Sequence, residues 1–349
     1  MAQIVIIGIG AGVAAALLVA SPLASLFSGA SVGLAVLLGS IAPLPILIAA
    51  IGWSHWAGLI ATGVGAAVLA LALSGVLFLP FLIGVGLPAW WLSYLALLAR
   101  PAAARPLPAQ GQLTTPALPE AAAPADDHME WYPVGRLVVW AALLATAVVT
   151  ATLLNIGLDA ETIRSGLRQS FEKVMRLQMQ IPADAPLDVP GLSDPNRLLD
   201  VFAILFPTAT AVFTTIVTLI NLWLAARIVK ISGRLRRPWP DLAAISFPPA
   251  VAALLAAAIA AGFLPNLIGL IAGVLSATLL TAYAALGFAV LHKITGGMLG
   301  RGFVLAGAYA AVGVLGWPVL VMTLLGLADT LLDVRGRVAT RRRPSPPDT

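Results

Sequence analysis

Residues 1–53, "MAQIVIIGIGAGVAAALLVASPLASLFSGASVGLAVLLGSIAPLPILIAAIGW", contain no Asp, Glu, Lys or Arg. The charge-free run continues to residue 99, with His55 its only histidine. One helical span takes about 20 apolar residues, so this run must be several spans. The rest of the chain follows suit: 60% of its 349 residues are hydrophobic and 10% are charged, whereas a soluble domain carries about 25% charged residues. Mean hydropathy is +0.98. A soluble globular protein is excluded, and the expected fold is an all-α polytopic transmembrane bundle of about 8–10 membrane helices. A β-barrel would alternate apolar and polar residues along strands of about ten residues, and these runs are apolar on every side. With no cysteine in the chain, disulfides and thiolate chemistry drop out. The net charge of +5 is assigned to loops retained in the cytoplasm, not to nucleic-acid binding.

Working outward, apolar stretches fall near 4–26, 31–51, 56–73, 75–98, 136–154, 201–226, 242–261, 264–291 and 303–332. Trp53, Trp56, Trp90, Trp91, Trp131, Trp223 and Trp239 lie near their ends, where amphipathic rings favour the membrane interface. Residues 100–135 are a linker, Pro/Ala-rich over "RPAAARPLPAQGQLTTPALPEAAAPADDHME" (100–130), and too poor in large apolar residues to build a core. They separate a four-span block, 1–99, from a membrane block, 136–334, that is followed by a basic tail, 335–349. Within the polar stretch 155–200, Ile163, Leu167, Phe171, Val174, Leu177 and Ile181 recur at helical spacing. Asp159 is the expected N-cap, and Arg168–Glu172 and Glu172–Arg176 are i,i+4 pairs. This predicts one amphipathic extramembrane helix, on the bilayer or over the bundle, ended by Pro182, Pro186 and Pro190.

The loop "RIVKISGRLRR" (227–237) holds five Lys/Arg and no acid, whereas 155–200 holds five against seven Asp/Glu. The positive-inside rule therefore places the loop in the cytoplasm and 155–200 outside. Counting spans from there puts the linker and the N-terminus in the cytoplasm of a bacterial inner-membrane protein. A single span at 303–326 would leave Arg335, Arg337 and Arg341–Arg343 outside. Pro318, in "LGWP" (315–318), disfavours a straight helix there. Two short helices, about 303–315 and 317–332, are preferred; a re-entrant pair and one kinked span with the tail outside are the alternatives.

Four groups of residues stand out as candidate sites. "IVIIGIGAGVAAAL" (4–17) fails the dinucleotide-binding pattern, because Gly12 follows Gly10 one place early. Gly8, Ala11, Gly12 and Ala15 fit close helix packing instead, within the chain or on a partner. Pro43 and Pro45 lie inside a span and free backbone carbonyls, which either line a ligand site or mark a simple kink. Thr210, Thr214, Thr218 and Asn221 recur on one face of 201–226, as a polar ligand contact or as groups bonding backbone and neighbouring helices. Asp329, Asp333, Arg335 and Arg337 read as an interfacial charge clamp, with Arg337 placed to pair with Asp333. His55, His128 and His292 have no metal-ligand spacing, and no catalytic motif is present. Neither enzyme nor cofactor nor metal is expected.

Four segments carry a resemblance: "APLPILIAAIGW" (42–53), "PTATAVFTTIVTLINLWLAARIV" (207–229), "LGFAVLHKI" (286–294) and "LGLADTLLDVRGR" (325–337). Together the chain resembles the YybS-like family of bacterial membrane proteins, distantly similar to the substrate-binding components of energy-coupling-factor vitamin transporters. That resemblance implies a small-molecule binding or transport component. Its ligand would sit near Thr214, Thr218 and Asn221 under the 159–181 helix, with Ala11 and Ala15 docking a transport module. The chain has no ATP-binding motif, so an ATPase partner would supply energy. The alternative is a non-transport scaffold in envelope biogenesis or assembly, working through the linker, the 227–237 loop and the tail. Either way the lipid bilayer is its first partner.

Overall fold

The computed structural model describes residues 1–28, 32–73, 75–101, 129–182, 185, 187 and 194–341. Its N-terminal block runs α1 (Ala2–Ser28), α2 (Val32–Ser40), α3 (Pro43–Gly52), α4 (His55–Ala72), α5 (Phe78–Phe81), a π-turn (Leu82–Gly86) and α6 (Leu87–Ala96). The linker ends are clasped by β1 (Ala99–Pro101) and β2 (Met129–Trp131), antiparallel with Arg100 opposite Glu130. Then follow α7 (Val134–Leu154), α8 (Ala160–Met179), α9 (Pro195–Ile231), α10 (Pro249–Ala261), α11 (Leu267–Ile294), α12 (Arg301–Leu315), α13 (Val319–Leu332) and α14 (Val334–Arg341). Among the described residues, seven stretches are long and apolar enough to cross a membrane. α10, α12 and α13 are shorter apolar helices, so the all-α polytopic bundle is as expected. The interior of the linker with His128, Pro186, Pro190 and the tail beyond Arg341 lie outside the described residues.

Small residues set the closest helix contacts. A Cβ on Gly8 would lie 2.8 Å from the Ile60 side chain, and one on Gly12 would lie 2.5 Å from the Ala61 carbonyl oxygen and 2.9 Å from Val64. Gly8 faces Ile60 and Gly12 faces Val64, so α1 and α4 run in the same direction. Gly287 and Gly326 bring α11 and α13 together in the same way, against Met322 and Tyr283. The two blocks share α9. Ala225 and Val229 pack with Ala15, Ile46, Leu47 and Ile51, while Ala211 packs with Val149 and Val274.

Helix breaks follow from proline chemistry. Pro43 and Pro45 have no N–H to donate to the preceding turn. Ala42 N–H reaches Gly39 O at 3.2 Å and Leu44 N–H reaches Ile41 O at 3.0 Å, so the Ser40 carbonyl is free of the ladder. Likewise the 242–261 stretch does not form a helix throughout. Leu242–Ala244 is a 3-10 turn, and α10 begins only at Pro249, after Pro248.

The last apolar stretch is two helices, broken at Gly316 with φ +73. At 1.5 Å per residue each is about 21–23 Å long, short of the roughly 30 Å hydrocarbon core. The hairpin returns to the end of the bundle it left. Arg335, just after α13, donates to the Ala243 carbonyl at 3.0 Å, and Lys293, at the end of α11, meets Asp241 at 3.5 Å. The single kinked span is therefore not the structure. At this same end lie the ends of α3, α6 and α9 and the start of α7, tied together by the 227–237 loop. It is the basic pole, and the start of α1 lies there too, because α1 runs alongside α4.

Candidate functional site

Site geometry is richest at the basic pole, beneath the 227–240 segment. Lys230 sits 4.6 Å and Arg227 5.7 Å from the Trp239 ring centroid. Arg234 lies 4.6 Å from the Trp53 ring, and Arg236 donates to the Trp53 carbonyl at 2.9 Å. Arg237 reaches inward. Its two terminal nitrogens donate to Ala96 O and Tyr132 O, each at 3.3 Å, and its Nε is buried with no acceptor. Burial pushes this guanidinium below the ordinary arginine pKa, because desolvation penalises the charged form. Among the described residues none of these five cations pairs with a carboxylate.

Arg237 forms part of the wall of an apolar crevice of about 230 Å³. Ile51 and Leu97 come from the N-terminal block, and Leu137, Leu222, Trp223 and Leu242 from the C-terminal block. The crevice is therefore the seam between the blocks. It combines apolar walls with positive charge that has no carboxylate partner among the described residues. Sequence reasoning placed the cationic loop in the cytoplasm but missed the crevice, whose walls come from residues up to 234 positions apart (Ile51 and Ala285).

The expected polar face of α9 is displaced by one residue. The buried line runs Ala203, Ala211, Thr215, Asn221 and Ala225, with Pro207 on it. Thr210, Thr214 and Thr218 are half-buried along its edge. Thr215 donates to Ala211 O at 2.8 Å, satisfying itself within the helix. One turn towards the basic pole from Val149 and Val274, Thr146 and Thr278 share a hydrogen bond of 2.8 Å. Asn221 does meet the proline break: its Nδ2 donates to Ser40 O at 2.8 Å and Val217 O at 2.9 Å. Its Oδ1 is buried without a partner. Pro43 is at the first position of α3. Pro45 lines an outer groove of about 350 Å³ with Ala11, Ile7 and Leu18.

Gly8, Gly12 and Ala15 are turned into the chain. The two glycines take up α4, and Ala15 is fully buried. Only Ala11 of that group borders an open groove. The charge clamp forms with different partners from those expected. Arg335 grips Asp329 with Nη2–Oδ2 at 2.7 Å and Nε within 3.1 Å of both carboxylate oxygens. The Arg335 backbone N–H also donates to Asp329 Oδ1 at 3.1 Å. Asp333 does not pair with Arg337. It turns left-handed at φ +48 and its carboxylate accepts from Gly336 N–H at 3.1 Å, serving α14 as an N-cap. Arg168 likewise leaves Glu172 to Arg176 and binds Asp200 and Asn196, each at 2.8 Å. No group of three or more metal-ligating side chains occurs among the described residues.

The model of a family described as predicted membrane protein, DUF2232, matches residues 114–330. No curated protein matches the chain, and no solved structure does. The family match spans more than half of the chain and takes in α7 to α13, including the Arg237 loop and most of the crevice wall. The protein belongs to the DUF2232 family of predicted membrane proteins.

Proposed function

We propose that this protein is a non-enzymatic binding component of the bacterial inner membrane, with its basic pole facing the cytoplasm. Its ligand is an amphiphile with an anionic head, drawn from the membrane and held at the seam of the two blocks. One observation carries the reading: Arg237 lines an apolar crevice, half-buried, without a carboxylate partner among the described residues. A buried charge is costly unless it is paired, and basic pockets between helices on the cytoplasmic side bind anionic head groups. At about 230 Å³ the crevice is below the usual range for compact drug-sized ligands, roughly 300–1,000 Å³, and suits a chain better than a ring system. Were the ligand carried across the membrane, energy would come from a partner ATPase. The scaffold alternative rests on the β1–β2 clasp, which roots the linker at the same pole.

The test is thermal unfolding in a neutral detergent with dodecyl phosphate, dodecyl trimethylammonium or no addition. A ligand that binds only the folded state stabilises it by RT ln(1 + [L]/Kd), so the melting temperature rises with the logarithm of ligand concentration above Kd. Dodecyl phosphate should raise it along that course and the cationic amphiphile should not. R237Q, and L222W to fill the crevice, should each abolish the shift. Equal stabilisation of wild type and R237Q would refute the site.

A further inference from the structure

The apolar stripe of α8 changes surroundings half-way along the helix. Ile163 and Leu167 are buried, packed with Val149, Leu153 and Ala203. Phe171, one turn on, meets Phe206 edge-on at 5.0 Å and Phe202 at 5.9 Å. Beyond it the stripe continues with none of the described residues covering it: Val174 is 56% exposed and Leu177 79%. On α9 alongside, Val201, Phe202, Leu205 and Phe206 are exposed too. The overhang is not a loose flap. Arg168 is bonded to Asn196 and Asp200 on α9, and Arg176 closes the far end on Glu172 and the carbonyls of Pro182 and Ala185.

The length of α9 sets the depth of this ledge. Its 37 residues span about 55 Å at 1.5 Å per residue, more than the roughly 40–45 Å of a bilayer with its head groups. Taking Lys230 as one edge of the hydrocarbon, about 20 residues of core end near residue 210. Phe206 and Phe202 then lie about 6–12 Å further out, in the head-group zone. Amphipathic helices with basic flanks settle at that depth, and Lys173 and Arg176 stand beside Val174 and Leu177 in the sequence.

We infer that residues 171–181 of α8 and the 201–206 face of α9 form a ledge sunk into the lipid leaflet opposite the basic pole. Its occupant is the membrane itself, so α8 anchors the bundle at that interface. This stands apart from the amphiphile reading, since it concerns the other pole.

The cysteine-free chain makes the test direct. Full-length V174C and L177C, with Q169C on the exposed face of α8 as control, are labelled with a polarity-sensitive fluorophore. They are then reconstituted at one copy per vesicle, with and without brominated acyl chains. The expected result is blue-shifted emission and loss of fluorescence to bromolipid at 174 and 177, with neither at 169. Water-like emission at 174 and 177 would overturn the inference. So would a blue shift that bromolipid leaves unquenched, which is the mark of a protein cover such as a lid. A shift that develops only as copies per vesicle increase would assign the ledge to a second copy instead.

Discussion

Removing the Asp329 carboxylate should be the most destabilising single change at the basic pole. The Asp329 side chain is 4% exposed and that of Arg335 16%. The carboxylate takes three donors from Arg335: Nη2, Nε and the backbone N–H. Arg335 in turn holds Ala243, the turn that precedes α10, through a 3.0 Å bond. Truncation in D329A leaves a nearly buried guanidinium without its counter-ion, a class of change that costs about 3–5 kcal/mol. Replacing both partners by apolar residues, in D329L/R335M, removes the charge problem, and such replacements are often neutral or better. The order of stability should then be wild type close to D329L/R335M, both well above D329A. Equilibrium unfolding in mixed micelles reads the differences, provided the transition is two-state. If D329A lies within about 0.5 kcal/mol of wild type, as ordinary surface substitutions do, the clamp is not load-carrying. If the double variant is as unstable as D329A, packing rather than charge pairing is the cause.

Three further outcomes are expected. G12A should destabilise by about 1–3 kcal/mol through overpacking, because its Cβ meets the Ala61 carbonyl, while G10A, with open space around it, should be neutral in the same unfolding assay. N221L should cost about 1–2 kcal/mol, the scale of an interhelical hydrogen bond in a membrane, and should speed amide exchange around Ser40–Leu44, where the freed carbonyl loses its donor. The Asp159 carboxyl is held below its ordinary value of 3.8, chiefly by the Thr162 hydroxyl and then by the Thr162 N–H. A lowered folded pKa means its capping contribution is fully present above the unfolded value and is lost as the pH falls through the folded one. Amide protection at Thr162 should follow that course in wild type and be flat with pH in D159N.

What the sequence disclosed depended on contrast. On α8, charged and apolar residues alternate at helical spacing, so its N-cap, its Glu172–Arg176 pair and its buried Ile163 and Leu167 were all legible. On α9 that contrast vanishes, because the segment is apolar on nearly every side. Its buried line is marked by small size, at Ala203, Ala211, Thr215 and Ala225, where neighbouring helices approach. Choosing the threonine row by polarity therefore selected Thr214 over Thr215, a rotation of about 100°. The proline break at 43–45 was visible, but its consequence was not, since the residue that takes the freed carbonyl lies 181 positions away. The same holds for the Arg237 crevice, where every other wall residue looks like ordinary membrane apolarity until the two blocks meet.

Many of the polar groups inside the bundle serve the chain's own backbone. Three carbonyls near irregularities or close crossings have each been taken by a neighbouring side chain: Ser40 O by Asn221, Gly86 O by Thr62 at 3.1 Å, and Leu280 O by Thr323 at 3.3 Å. In hydrocarbon an unpaired backbone group is costly, so these side chains are spent on the chain itself. The cations of the 227–237 loop are different. Tryptophan faces and helix-end carbonyls attract them but cannot cancel their charge. On the proposed reading an anionic head group does so. The proposed binding role is therefore sought at the pole where these cations have no carboxylate partner among the described residues.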